Sequence, residues 1–366
     1  MTDVLLVAGA RPNFMKIKPV LDALERRGVD TLLVHTGQHY DERMSDVFFD
    51  ELAIRKPDRF LAVGSGTHAE QTAAVMTGIE AVIDETKPTF LVVPGDVNST
   101  LAAAIVAAKA GCVVAHIEAG LRSRDWGMPE EVNRVVTDRV SDLLLAPSDD
   151  AVENLRAEGY REDQIHLVGN VMVDTLLANV ARARQRTTLE DLALEPAGYG
   201  AVTLHRPANV DDPAVLAGLF DALAKVAERI PLVLPAHPRA AERMRAANRS
   251  DRIRIIEPLG YLDFLALQAH AALVLTDSGG IQEETTVLGI PCLTLRENTE
   301  RPITITEGTN RLVGRDPDAI IAAADDALAG RFEKRRPALW DGQAGERIAD
   351  VLTSTDPATF KRPTDI

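Results

Sequence analysis

Residues 273–284 read Leu-Val-Leu-Thr-Asp-Ser-Gly-Gly-Ile-Gln-Glu-Glu. Leu273–Thr276 is a short apolar run of strand type, Asp277 and Ser278 turn the chain, and Gly279-Gly280 open a helix that continues to about Leu288. A strand that passes through a glycine turn straight into a helix is the unit of a parallel sheet, because a parallel neighbour is reached only by a crossover connection. Two glycines at a helix start lower helix propensity in a way a plain cap does not require. They permit close backbone approach, and the exposed N–H groups with the Ser278 hydroxyl form an anion nest. The plainer reading is a Gly-rich turn with a capping serine and acids in the first turn.

The same strand–helix alternation recurs on both sides of this stretch. Upstream runs are Val4–Ala8, Thr31–His35, Phe90–Val93, Cys112–His116, Leu143–Ala146 and Ile165–Val168. A second series comprises Ala201–Leu204, Leu232–Leu234, Ile253–Ile256, Leu273–Thr276 and Cys292–Leu295. Helix-like segments such as Asn13–Arg27, Ala69–Glu85, Ser99–Ala110 and Pro213–Arg229 lie between them. The strands are continuous and rich in Val and Leu, as expected where both faces of a sheet are buried. The expected fold class is α/β, with two Rossmann-like doubly wound domains facing across a cleft. The first domain is placed at residues 1–169 and the second at 170–344, with one further helix in the tail beyond it. Ligands of such sheets bind outside the carboxyl ends of the strands, so the loops after strands are where chemistry is sought.

Among 366 residues, 46% are hydrophobic and 26% charged, the mix of a folded globular chain. The 40 Lys+Arg and 55 Asp+Glu give a formal net charge of −15. That balance argues against nucleic-acid partners, which need a basic face, and against adhesion to an anionic membrane. A small phosphorylated ligand remains open, since it needs only a few local donors. No run approaches the ~18 apolar residues of a membrane span. Val4–Ala8 follows Met-Thr-Asp without a basic leader, so no signal peptide and a cytoplasmic location are expected. Cys112 and Cys292 have neither metal spacing nor a disulfide framework. No G-x-G-x-x-G follows the first strand and no P-loop motif occurs, which disfavours NAD chemistry and NTP hydrolysis. No metal and no cofactor are expected.

Several strand tips carry candidate groups. Gly9-Ala10-Arg11-Pro12-Asn13-Phe14-Met15-Lys16 places Arg11 and Lys16 at a helix start, where cations oppose the dipole unless an anion binds there; a capped turn with two solvated cations is the alternative. Asp96 follows Pro94-Gly95, Glu118 follows His116-Ile117, and Glu130 and Glu131 open the helix at Pro129. Each acid singly suits a cap or a first turn. Asp96, Glu118 and Glu130 together, converging on one side of one sheet, are expected to raise one another's pKa, as general acid/base work requires. His205-Arg206 form a pair able to donate to phosphate, and His237 follows another strand. Arg301 sits in Thr299-Glu300-Arg301-Pro302 after a later strand.

Together, Gly9–Lys16, Gly95-Asp96, His116–Arg122, Pro129–Arg134, His205–Pro207, Thr276–Glu284 and Thr299–Pro302 resemble the non-hydrolysing UDP-N-acetylglucosamine 2-epimerases, from about residue 4 to about residue 352. The resemblance implies a GT-B-like pair of domains, with the C-terminal helix at about 345–366 packing back on the first domain, and a homodimer. It implies Asp96, Glu118 and Glu130 as acid/base carboxylates, with His205 among the catalytic group. Arg11, His205, Ser278, Gly279 and Gly280 would hold a diphosphate, with Arg206 and Asp277 beside them. Glu284 would hold the ribose, and Lys16 and Arg301 would line the sugar–phosphate region. Gln38, Gln71, Glu131 and His237 fall at positions similar to an allosteric site of some bacterial relatives. Asn13 stands where many relatives carry Glu, and Leu259 where some place a uracil-side Gln. The implied reaction interconverts UDP-GlcNAc and UDP-ManNAc by elimination and re-addition of UDP through a 2-acetamidoglycal. A hydrolysing epimerase or a GT-B glycosyltransferase acting on a nucleotide sugar stays open at this point.

Overall fold

A computed structural model describes residues 3–37, 49, 51–236 and 238–360. Gln38 and His237 lie outside the described residues, as does the side chain of Arg11. The chain divides into two compact units, Met1–Thr175 with Ala338–Ile366, and Leu176–Pro337.

The first unit holds the strands Val4–Ala8 (β1), Thr31–His35 (β2), Arg59–Phe60 (β3), Phe90–Pro94 (β4), Val113–Ile117 (β5), Leu143–Ala146 (β6) and Ile165–Leu167 (β7). They form one sheet in the order β3-β2-β1-β4-β5-β6-β7, parallel throughout. The second unit holds Gly200–Thr203 (β8), Leu232–Pro235 (β9), Ile253–Ile256 (β10), Leu273–Thr276 (β11), Cys292–Thr294 (β12) and Asn310–Leu312 (β13), ordered β10-β9-β8-β11-β12-β13 and again parallel. Every residue of β1, β4 and β5 is buried, because helices cover both faces of the sheet. The two strands missing from the sequence reading are β3 and β13. Both are short edge strands, β3 exposed and β13 carrying Arg311, so neither makes an apolar run.

The strand order reverses between β1 and β4 in one sheet and between β8 and β11 in the other. Such a reversal splays the connections to opposite faces and leaves a crevice at the strand tips. β1 and β4 lead into Gly9–Lys16 and Gly95-Asp96; β8 and β11 lead into His205-Arg206 and Asp277–Gly280. The candidate residues of each unit therefore gather at its own switch point.

Within the first unit, the helix Ala344–Ser354 lies against the helix Arg11–Arg26. Its first amides, of Ala344 and Gly345, donate to the Asp174 carboxylate at 3.2 and 2.8 Å. Arg27 pairs with Glu346 and Asp350 at 2.7 and 2.6 Å. Gly345 is the point of closest approach: a Cβ there would stand 2.7 Å from the Pro19 carbonyl. Gly345→Ala should cost about 1–3 kcal/mol by forcing the helices apart. Glu346→Ala, which removes an exposed pair, should cost about 1 kcal/mol or less. Denaturant midpoints of the two variants check this, and equal losses would contradict the close contact.

Candidate functional site

At the switch point of the first unit, Asn13 ties two loops together. Its Oδ1 accepts from the Gly9 and Ala10 amides at 3.2 and 2.9 Å, and its Nδ2 donates to the Pro94 carbonyl at 3.2 Å. Lys16, expected either as a solvated cation or as a phosphate ligand, donates to Glu118 Oε2 at 2.6 Å, with both side chains more than nine-tenths buried. The pair lies across the Gly95 peptide, where a Cβ would come within 2.8 Å of Lys16 Nζ. Glu118 itself holds φ +72°, left-handed backbone that costs a non-glycine residue about 1–3 kcal/mol and concentrates at functional sites. Its Oε1 is buried and accepts no hydrogen bond from the described residues. A buried carboxylate with one oxygen held by a cation and the other without a partner among the described residues is a candidate for proton transfer.

Asp96 receives Arg134 at 2.5 Å. Arg134 also pairs with Glu131, one helical turn earlier, and Glu131 takes the Ser123 and Arg124 amides at 3.0 and 2.7 Å. Glu130, half-exposed beside it, forms no ion pair or hydrogen bond with the described residues. The expected mutual repulsion among the carboxylates gives way to a different arrangement. Asp96 and Glu118 each carry their own cation, because helix Arg11–Arg26 delivers Lys16 and helix Pro129–Val140 delivers Arg134. Gln71 joins the same region through side-chain amides. Its Oε1 accepts from Asn98 at 2.9 Å, Asn98 Oδ1 accepts from Asn133 at 3.2 Å, and Asn133 also donates to the Asp96 carbonyl at 2.9 Å.

In the second unit, Asp277 is fully buried at the tip of β11 and faces the turn after β8. Its oxygens accept the His205 and Arg206 amides at 3.0–3.1 Å, Asn209 Nδ2 at 3.1 Å and His205 Nδ1 at 2.8 Å. Burial alone would raise the Asp277 carboxyl, but these donors hold it below the ordinary range. With Nδ1 committed to Asp277, the His205 ring is oriented, and it stays 58% exposed, with Nε2 left for a ligand. Ser278 precedes the helix Gly279–Leu288 without capping it by its side chain, which sets aside the plainer reading of this turn. Gly280 has open space around it, whereas a Cβ on Gly279 would stand 2.5 Å from the Arg301 guanidinium. Arg301 is a buried group held by Glu283 at 2.7 Å and Glu300 at 2.6 Å. Glu300 also receives Arg296 at 2.9 Å and lies 3.7 Å from Arg206. Arg206 Nε and Arg296 NH1 are buried donors with no partner among the described residues, which suits an anion at this turn. Glu284 lies buried against Gln268 at 2.8 Å, and burial pushes its carboxyl up to about 7.

Sequence reasoning read Arg296 with Arg301 as further cations after the following strand and noted Asn13 only as standing where many relatives carry Glu; it missed Arg134 and Gln268 as parts of these clusters. Only Arg134 left a signal, its spacing of one turn from Glu131 on a charged helix.

A family profile described as UDP-N-acetylglucosamine 2-epimerase matches residues 22–353. The chain belongs to that family. It is similar to the UDP-N-acetylglucosamine 2-epimerase of Methanocaldococcus jannaschii, 42% identical over 360 residues that cover 95% of this chain and 98% of the relative. A second epimerase, the UDP-2,3-diacetamido-2,3-dideoxy-D-glucuronate 2-epimerase of Pseudomonas aeruginosa, is 41% identical over 353 residues, covering 95% and 99%. The crystal structure of the M. jannaschii epimerase in complex with UDP-GlcNAc and UDP matches this fold with a TM-score of 0.87 at 41% identity, covering 97% and 100% of the two chains. Among the described residues, no helix of this epimerase-family chain is long and apolar enough to cross a membrane.

Two consequences are measurable. Lys16→Met leaves the Glu118 charge buried without its partner and should cost about 3–5 kcal/mol at neutral pH in denaturant titrations. A loss below about 1 kcal/mol would show the pair to be solvated. The second concerns Glu284. Its folded pKa lies above the ordinary 4.5, so the folded chain keeps a proton that the unfolded chain releases, and stability falls as pH rises from 4.5 to about 7. Glu284→Gln should therefore gain little at about pH 4 and about 1–3 kcal/mol at about pH 8 relative to the parent. A pH-independent difference would contradict the burial of this carboxyl.

Proposed function

We propose that the chain is a non-hydrolysing epimerase that interconverts UDP-GlcNAc and UDP-ManNAc. The C2 hydrogen of a nucleotide sugar has no adjacent carbonyl to acidify it. Its removal requires either transient oxidation or expulsion of a leaving group. The chain carries no dinucleotide fingerprint, so expulsion is the favoured route. A carboxylate takes the C2 proton, the C–H electrons form the C1=C2 bond, and the anomeric C–O bond breaks with UDP leaving. A proton delivered to the other face of C2 and return of the diphosphate to C1 complete the inversion.

The observation that carries this reading is the state of Glu118. It is buried, strained, paired with Lys16 through one oxygen and bare at the other, and its strand tip adjoins the one that carries Asp96. Asp96 and Glu130 complete the proton-transfer set. His205, Ser278 and the amides of Gly279 and Gly280 receive the diphosphate, with Arg11, Arg206 and Arg301 supplying positive charge as it leaves. Glu284 receives the ribose. The family membership and the M. jannaschii epimerase with UDP-GlcNAc and UDP support the substrate class.

The experiment is incubation with UDP-GlcNAc in deuterium oxide, followed by NMR. UDP-ManNAc with deuterium at C2 should appear, without free N-acetylmannosamine. Glu118→Gln should slow deuterium incorporation by about 10²–10⁴-fold. Retention of the original C2 hydrogen would sink the mechanism. Release of N-acetylmannosamine and UDP would assign the hydrolysing type, and sugar transfer only when an acceptor is added would assign a glycosyltransferase.

A further inference from the structure

β5 is a buried parallel strand of five residues, four of them apolar, and the fifth is His116. Its ring is fully buried, and both nitrogens meet acceptors. Nδ1 stands 2.6 Å from Asp138 Oδ1, and Nε2 stands 2.8 Å from the Gly95 carbonyl oxygen. A carbonyl oxygen can only accept. Asp138 is also fully buried, and its other oxygen takes the Gly120 amide at 3.0 Å and Arg122 at 2.7 Å. Burial would raise the Asp138 carboxyl, but His116 and Arg122 hold it below the ordinary range, so it too is an acceptor. A neutral imidazole would turn a lone pair toward one of these oxygens. Arg122 in turn is held by Glu158 at 2.7 Å.

The bonds end on the backbone of the two strand tips that carry carboxylates. The Gly95 carbonyl belongs to the peptide that joins Gly95 to Asp96. The Gly95 amide donates to the Ile117 carbonyl at 3.0 Å, and that carbonyl belongs to the peptide that joins Ile117 to Glu118. The Gly120 amide, two residues past Glu118, is fixed by Asp138. The charged groups nearest the ring are Asp138 on its helix, Arg122 and Glu158 behind it, and the Lys16–Glu118 pair across Gly95.

We infer that His116 is a positioning residue: a buried imidazolium that, with Asp138, fixes the Gly95–Asp96 and Glu118–Gly120 backbones in register for proton transfer. The inference rests on the reading of Asp96 and Glu118 as the proton-transfer groups. Glutamine at this position can reach one of the two partners but not both.

Three measurements on the full-length chain test it. With nitrogen-15-labelled histidine, the wild-type His116 ring should show two slowly exchanging N–H protons at neutral pH; one bare ring nitrogen would overturn the inference. In His116→Gln, the amides of residues 95–97 and 118–121 should exchange faster than in the parent while those of the second unit are unchanged. The same variant should lose about 10²-fold in kcat for C2 deuterium incorporation, with KM within about threefold, as expected from misplacement of reacting groups rather than lost binding. Unaltered kcat and amide protection would overturn the inference. A wild-type chain that does not exchange the C2 hydrogen would instead overturn the proposed function, while the ring protons and the amide exchange still decide the positioning role. The ring measurement needs no variant, so it decides even if His116→Gln fails to fold.

Discussion

Gly95 is the point on which the first unit's chemistry turns. With φ +69° and no Cβ, it lets the buried Lys16–Glu118 pair lie directly over its peptide. Its amide and carbonyl are both taken, by the Ile117 carbonyl and by His116. A Cβ here would come within 2.8 Å of Lys16 Nζ, so a larger residue would displace that ammonium from its place over the peptide. The strand tips that carry Asp96 and Glu118 thus share one peptide as a hinge pin. Two cations, Lys16 and Arg134, come from the helices on either side of it.

Each unit uses the same device to hold its strand-tip loops. A fully buried aspartate accepts backbone N–H and one imidazole nitrogen: Asp138 takes the Gly120 amide and His116, and Asp277 takes the His205 and Arg206 amides and the His205 ring. Such a carboxylate stays charged because its donors outweigh the burial. The difference lies in the histidine. His116 is sealed in a strand with both nitrogens occupied. His205 is largely exposed with one nitrogen occupied, and so can meet a ligand. The chain's net charge of −15 is consistent with an anionic substrate on this basis, since what matters locally is where Arg206, Arg296 and the bare helix start at Gly279 lie.

The parallel sheets were legible because strands buried on both faces make unbroken apolar runs, as at Val4–Ala8 and Leu273–Thr276. The edge strands β3 and β13 were not, since a short exposed strand needs no apolar pattern. Loop position after a strand was enough to single out Asp96, Glu118, His205 and Ser278. What surrounds them was hidden, because partners such as Lys16 and Glu118 are 102 residues apart and meet only through the fold. Composition and spacing likewise say nothing of the bond from His116 to Gly95, which depends on the pairing of β4 with β5.

Cleavage of the anomeric C–O bond is the step that separates elimination from every route that keeps the sugar attached to its diphosphate. UDP-GlcNAc with a heavy-oxygen label in the bridge between C1 and the β-phosphorus tests it directly. As UDP-ManNAc forms, the label should scramble into the non-bridging positions of the β-phosphate, because the freed terminal group can rotate before it returns to C1. Epimerisation with the label still confined to the bridge would contradict elimination and re-addition.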